Sequence, residues 1–386
     1  MSWEKVKLGD IANCIQPGPF GSQLHSSDYA DEGTPIIMPK DMIGGKISHQ
    51  DLIRVPDEHL QRLKRHQVYD GDLMVARKGD VRKCVYITEN ENGWLTGSDC
   101  LKVSLDKGKC YPKYIYYQLR SPFIGRWLET ISIGATMPSL NTGLLSGIEI
   151  SLPTIDKQVR IAEVLSAYDD LIENNQKQIN LLEEAAQRLY KEWFVDLRFP
   201  GHETTPITDG IPKGWAEGTL ADLAVFKRGK TITKGQVNEG NVPVVAGGLE
   251  PAYYHDTSNT DAPVITVSGS GANAGFTRMY YTKVWASDCS YIDVSVTNDI
   301  AWIYCFLKEN KASIDSMQKG AAQPHVYAKD LNAMKVVVPC DSLMERFRTA
   351  AEPMFSKIGK LEMQIKMLTE ARDRLLPKLM NGEIEV

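Results

Sequence analysis

From Gln158 to Phe194 the chain places Ile161, Leu165, Tyr168, Ile172, Asn175, Ile179, Leu182, Ala186, Leu189 and Trp193 in alternating steps of four and three. That spacing is the a/d seam of a heptad helix. The seam recurs 186 residues later as Phe347, Ala351, Met354, Ile358, Leu361, Ile365, Leu368, Arg372, Leu375 and Leu379. Each copy carries one polar interruption, Asn175 or Arg372. A helix with an apolar stripe needs a surface to cover it, and a second copy in the same chain supplies one.

The duplication extends beyond the helices. Gly134, Pro138 and Pro153 return at the same offset as Gly320, Pro324 and Pro339, and Ser98-Asp99-Cys100 returns as Ser287-Asp288-Cys289. Gly79 is matched with Gly269 and Trp3 with Trp215, so insertions and deletions accumulate toward the start of each copy. The spacing predicts an α+β fold: two globular domains, 1–154 and 200–340, each followed by a long helix, 155–199 and 341–386. Within the domains, 112–119 and 298–307 read as helices, and 148–152 and 334–338 as closing strands stopped by proline. Pro353 predicts a kink or a separate short helix. The first helix leads from domain one to domain two, and by duplication the second returns. The pair is therefore expected to be an antiparallel coiled coil of roughly 55 Å with a domain at each end.

Charge and composition exclude several classes. The 386-residue chain has a net charge of −5, no apolar run long enough to span a bilayer and no leader at Met1, which reads as a cytoplasmic protein. Its seven cysteines contain no CxxC pair, which argues against a zinc ribbon or a disulfide framework. Gly229-Lys230-Thr231 resembles the end of a phosphate loop, but Ala224 stands where that motif needs its first glycine. Gly269, Gly271 and Gly275 miss the dinucleotide fingerprint by one residue. There is no HExxH, no GxSxG and no Asn/Asp-Pro-Pro-aromatic run of the kind that holds a target base in an amino-methyltransferase. A catalytic role for the chain alone is not expected.

Local basic and polar loops remain. Arg62, Lys64 and Arg65 precede Arg77, Lys78, Arg82 and Lys83 in the first repeat; Lys227, Arg228, Lys230 and Lys234 cluster in the second. Such clusters suit phosphate contacts, and arginine can fork onto a guanine edge, although a charge run alone more often marks a solvated face. The loops 134–141 and 320–325 keep a glycine and a proline while their polar residues change, Ser139 and Asn141 in one and Gln323 and His325 in the other. Two readers of different sequences would need that arrangement, and neutral divergence would also produce it.

These residues resemble the specificity subunit of type I restriction–modification systems. The resemblance covers essentially the whole chain. It rests on the glycine and proline before each closing strand, on Pro153, Ile155, Gln158, Arg160, Ile161, Val164 and Leu165 leading into the helix, and on Leu181, Leu182, Leu189 and Phe194. Gly18-Pro19-Phe20-Gly21-Ser22 resembles the start of a family target-recognition domain; Phe226, Arg228 and Gly229 correspond only loosely. The resemblance implies two target-recognition domains reading a bipartite double-stranded DNA site. It also implies two methyltransferase subunits docked on the helices and restriction subunits joined through that core. S-adenosylmethionine, ATP and Mg²⁺ would be carried by the partners, with no cofactor in this chain and no membrane contact. The expected DNA-contacting residues are Gly21, Ser22, Arg77, Lys78, Lys83, Ser139 and Asn141 in the first domain and Lys227, Arg228, Lys230, Gln323 and His325 in the second. A helix pair of that length limits the half-site separation to about sixteen base pairs at 3.4 Å rise. The rival readings are a coiled-coil adaptor that binds only proteins and a self-sufficient methyltransferase.

Overall fold

The structure, a computed structural model, describes residues 3–131, 139–318 and 324–386. The chain divides into two compact units, Met1–Ile172 with Met367–Val386, and Glu173–Lys366. Each long helix thus begins in one unit and ends in the other.

In unit 1, Glu4–Lys7 pairs antiparallel with the closing strand Glu149–Leu152. The strand Ala12–Pro17 then enters a four-stranded sheet whose order is 12–17, 100–105, 73–76, 84–86. A three-stranded sheet has Thr34–Ile37 at its centre, antiparallel to Ile53–Val55 and parallel to Leu95–Thr96. Leu73–Ala76 is buried on both faces because its alternate residues serve different cores. Leu73 and Val75 join the core that reaches the long helices, whereas Met74 and Ala76 join the one beneath Val85 and Cys100.

Unit 2 repeats the plan. Ala216–Thr219 pairs with Lys335–Val338. The four-stranded order is 227–228, 289–293, 264–268, 277–280, and Val242–Val245 lies between antiparallel Tyr253–His255 and parallel Trp285–Ala286. The helices expected at 112–119 and 298–307 are Pro112–Leu119 and Ile300–Glu309. In the segment between the repeats, Ile207–Thr208 and Ile211–Pro212 form a hairpin around Asp209 and Gly210. Both turn residues have positive φ, 49° and 80°, as a two-residue turn of this type requires.

The long helices are Ile155–Tyr190, closed by a π turn at Lys191–Val195, and Asp341–Met380. The second is not divided at Pro353 as the sequence suggested. The proline removes one backbone donor, but Ala351 and Phe355 on either side are buried in the unit 2 core and hold the helix through it. In unit 1, Lys157 meets Glu385 and Asp169 meets Arg372; in unit 2, Asn175 meets Gln364 and Tyr190 meets Phe347. Within each unit the partners run in opposite directions along the two helices, as the antiparallel expectation required. Gln158, quoted in the family phrase, is 1% exposed: its amide donates to the Pro153 carbonyl at 2.7 Å and accepts from Tyr111 N–H at 2.9 Å, tying the helix start to the domain.

The two polar seam residues are satisfied differently. Arg372 donates to Asp169 at 2.6 Å, and Asp169 also accepts the Tyr117 hydroxyl at 2.7 Å. Tyr116 under Arg120 and Tyr304 under Lys308 repeat the same contact, placing Cys305 at the position of Tyr117. With the helix offset, Phe355 and Ala186 stand for Asp169 and Arg372. Unit 2 therefore has three buried, largely apolar residues where unit 1 has a hydrogen-bonded ionic set.

Candidate nucleic-acid interface

Backbone hydrogen bonds align the two repeats residue by residue. Gly18 N–H donates to the Cys100 carbonyl at 3.1 Å, and Gly229 N–H to Cys289 at 2.8 Å. Arg77 N–H reaches the Asp99 carbonyl at 2.7 Å, as Gly269 reaches Asp288 at 3.1 Å. Leu140 N–H closes on the Arg77 carbonyl at 2.8 Å, as Val326 closes on Gly269 at 3.2 Å. Isolated bridges join Lys78 to Ser139 and Ser270 to His325.

This frame corrects one sequence match. The counterpart of Gly79 is Gly271, not Gly269: both have left-handed φ, 77° and 78°, and both stand three residues after the strand residue that pairs with the repeated cysteine, Ala76 in one repeat and Ser268 in the other, so that Arg77 matches Gly269. Strand pairing, rather than the nearer glycine, sets the offset. The glycine that failed as a phosphate-loop residue also gains a role. A Cβ on Gly18 would lie 2.0 Å from the Gly97 carbonyl oxygen, and one on Gly229 would lie 2.2 Å from that of Ser287. Gly229 is the counterpart of Gly18, a closer correspondence than the sequence alone conveyed.

On this frame unit 1 gathers Phe20, Arg77, Lys78, Asp99 and Ser139. The Arg77 guanidinium lies 5.9 Å from the Phe20 ring centroid, and its Nε is buried without a hydrogen-bond partner among the described residues. Lys78 forms an ion pair with Asp99 at 3.0 Å. Gly21 and Ser22 are exposed on the turn that carries Phe20, and Gly21 has φ of 59° with open space around it. Two expected contacts are otherwise engaged. Asn141 caps the helix Thr142–Ser146, accepting from Leu144 N–H at 2.8 Å, and the Lys83 ammonium turns to the Pro39 carbonyl at 2.8 Å. The wider basic run is also partly neutralised. Arg62 binds Asp28 at 2.9 Å, and Arg82 binds Asp80 at 3.0 Å and Glu129 at 3.2 Å. The Arg82 side chain beside Asp80 holds that carboxyl below the ordinary carboxylate range.

Unit 2 gathers Gly269, Ser270, Asp288, His325 and Tyr327. The Ser270 hydroxyl donates to Asp288, so the repeated aspartate takes a serine here and a lysine in unit 1. His325 stacks on Tyr327 with centroids 5.8 Å apart, and the Lys329 ammonium lies 5.6 Å over the same tyrosine. Lys227 and Arg228 are exposed on the short edge strand opposite Tyr291 and Ser290, and Lys230 lies 6.0 Å over Trp285. Gln323, with the loop residues Gly320–Ala322 and Gly134–Pro138, lies outside the described residues. Sequence reasoning passed over Phe20, Asp99, Asp288, Ser270 and Tyr327 as contacts. The repeated Ser-Asp-Cys triplet was the available signal for the two aspartates.

A family model for the type I restriction modification DNA specificity domain matches residues 1–184 and 212–342. The chain belongs to the type I restriction–modification DNA specificity family. Within it, the chain is 29% identical over 415 residues to the type I restriction enzyme MjaIX specificity subunit of Methanocaldococcus jannaschii, covering all of this chain and 94% of that protein. It is 20% identical over 470 residues to the HindI specificity subunit of Haemophilus influenzae, covering 99% of each. Among solved structures, the S subunit from M. genitalium shares the fold with a TM-score of 0.61 at 18% identity, over 98% of this chain and 96% of that one. The family supports a DNA sequence-specificity role rather than the protein-only adaptor. Among the described residues, no helix is long and apolar enough to cross a membrane, and no cluster of three or more His, Cys, Asp or Glu is placed to hold a metal ion.

Proposed function

We propose that this chain reads a bipartite site in double-stranded DNA, each unit contacting one half-site through the cluster built on its repeated hydrogen-bond frame. The observation that carries this reading is the frame itself. The same backbone bonds hold Arg77, Lys78 and Ser139 in one unit and Gly269, Ser270 and His325 in the other. A fixed scaffold with interchanged donors and acceptors suits two related readers of different base sequences, because base edges are distinguished by hydrogen-bond pattern.

The chain is in this reading the non-catalytic, cytoplasmic member of an assembly. Two methyltransferase subunits dock on its long helices and bring S-adenosylmethionine, and restriction subunits needing ATP and Mg²⁺ join through them. A net charge of −5 fits that division, since phosphate attraction would then be shared with the subunits that close around the duplex.

The test is to map adenine methylation genome-wide in a strain carrying the complete system. A bipartite motif is expected, with Ser139→Ala altering one half only and His325→Ala the other half only. A motif without two halves, or a single substitution that alters both halves, would overturn the assignment.

A further inference from the structure

Phe20 is 55% exposed, yet the turn that carries it is anchored on every side. Gly18 and Pro19 before it are buried, and Gly18 packs so closely on the 97 carbonyl that no other residue fits. Gln23 N–H closes back on the Phe20 carbonyl at 3.3 Å, and Arg62 fastens the far side by donating to the Gln23 carbonyl at 3.1 Å. Arg77 approaches the ring at 5.9 Å, within cation–π reach. An apolar ring is thus held out toward solvent on a pre-ordered backbone, with a guanidinium beside it.

The surroundings favour one kind of cover. Among the described residues, Gly21, Ser22, Lys78 and Gly79 are exposed around the ring, so its setting there is polar and cationic rather than an apolar patch. A protein partner would meet a single ring without the apolar surface that usually accompanies a buried anchor. A base step opened in a duplex offers flat apolar faces, between which phenylalanine is one of the side chains that insert, with phosphates nearby for Arg77 and Lys78.

We propose that Phe20 packs its ring against a base of the half-site read by unit 1. The inference rests on the reading that unit 1 contacts DNA, and it adds an asymmetry. Counting from Gly18 and its counterpart Gly229, the position of Phe20 is taken in unit 2 by Thr231, which has no ring. Recognition by unit 1 therefore includes an aromatic contact at this position that unit 2 does not make from its equivalent residue.

The experiment uses the chain assembled with its methyltransferase subunits, on a duplex carrying the mapped motif and on duplexes with one half-site scrambled. Phe20→Ala is expected to weaken binding to the matched duplex by about 5- to 150-fold, the range spanned by one base–aromatic stack. Binding to the duplex with the unit 1 half scrambled should be unchanged. Phe20→Tyr keeps the ring and should retain discrimination. Phe20→Leu keeps apolar area without a flat face and should lose most of it, which covers the case of an alanine variant that fails to fold. Thr231→Ala should leave both halves as they were. The inference is overturned if Phe20→Ala and Phe20→Leu leave matched-duplex affinity unchanged, or weaken matched and scrambled duplexes equally. Failure of the underlying reading looks different: the wild-type assembly would then not tell matched from scrambled DNA.

Discussion

At Gly18 and Gly229 the two repeats make the same demand, that a backbone pass another backbone with no side chain between them. Gly18→Ala and Gly229→Ala are each expected to cost about 1–3 kcal/mol, as overpacking does. Gly21→Ala should cost less, about 1 kcal/mol, because the space around it is open and only its positive φ is strained. Chemical denaturation followed separately in the two units would show each of the first pair weakening its own unit. His66 supplies a pH dependence. It is buried, Arg65 Nε donates to its Nε2 at 3.0 Å, and burial together with the Arg65 charge pulls its pKa from 6.5 down to about 4. The unfolded chain therefore binds the proton first. The stabilising contribution of the neutral ring is complete above pH 6.5 and is lost as pH falls toward 4, by up to about 3 kcal/mol. Denaturation midpoints of unit 1 should drop between pH 7 and pH 4.5 in the wild type, and His66→Gln should flatten that drop.

At the scale of elements, the long helices show how one seam position is filled in two ways. Asp169 and Arg372 are 12% and 15% exposed at the side chain, so removing one leaves the other nearly buried with only its flanking partners, Asp373 for Arg372 and the Tyr117 hydroxyl and Arg120 for Asp169. Asp169→Phe or Arg372→Ala should each cost roughly 2–3 kcal/mol, the range for losing a hydrogen bond to a charged group. The double variant Asp169→Phe/Arg372→Ala, which copies the Phe355 and Ala186 of unit 2, should cost less than either single change. A double-mutant cycle on denaturation midpoints checks this, and simple additivity of the two changes would count against coupling. The seam itself was legible because a heptad period needs no tertiary context, and the duplication was legible because it kept one offset through the helix and its flanking sequence, from Gly134 to Trp193. What decides the candidate site was not legible, because it depends on which strands pair. Gly79 has a glycine nearer in sequence than its true counterpart, and only the strand ladder selects Gly271. Asn141 has the composition of a reader and the geometry of a helix cap. Arg62 and Arg82 look like free cations until Asp28 and Asp80 arrive beside them. Phe20 looks like one more core aromatic, and only its exposure marks it out.

At the scale of the whole molecule, each long helix starts in one unit and finishes in the other, so any change in helix length acts on both halves of the reading at once. The cleanest change removes one heptad from each helix, residues 173–179 and 359–365, which are related by the repeat offset. That deletion takes out Asn175 and its partner Gln364 together, and it leaves Asp169 with Arg372 and Tyr190 with Phe347. Each helix loses about 10 Å at 1.5 Å per residue, equivalent to about three base pairs at 3.4 Å rise. If the helices set the distance between half-sites, the methylation motif should keep both halves and shorten its spacer. Deleting either heptad alone should instead break recognition, because the remaining helix would hold its two units at positions its shortened neighbour can no longer match. Long-read methylation mapping of the three strains separates the outcomes. Altered half-site bases with the spacer intact would show that the helices position something other than the DNA readers.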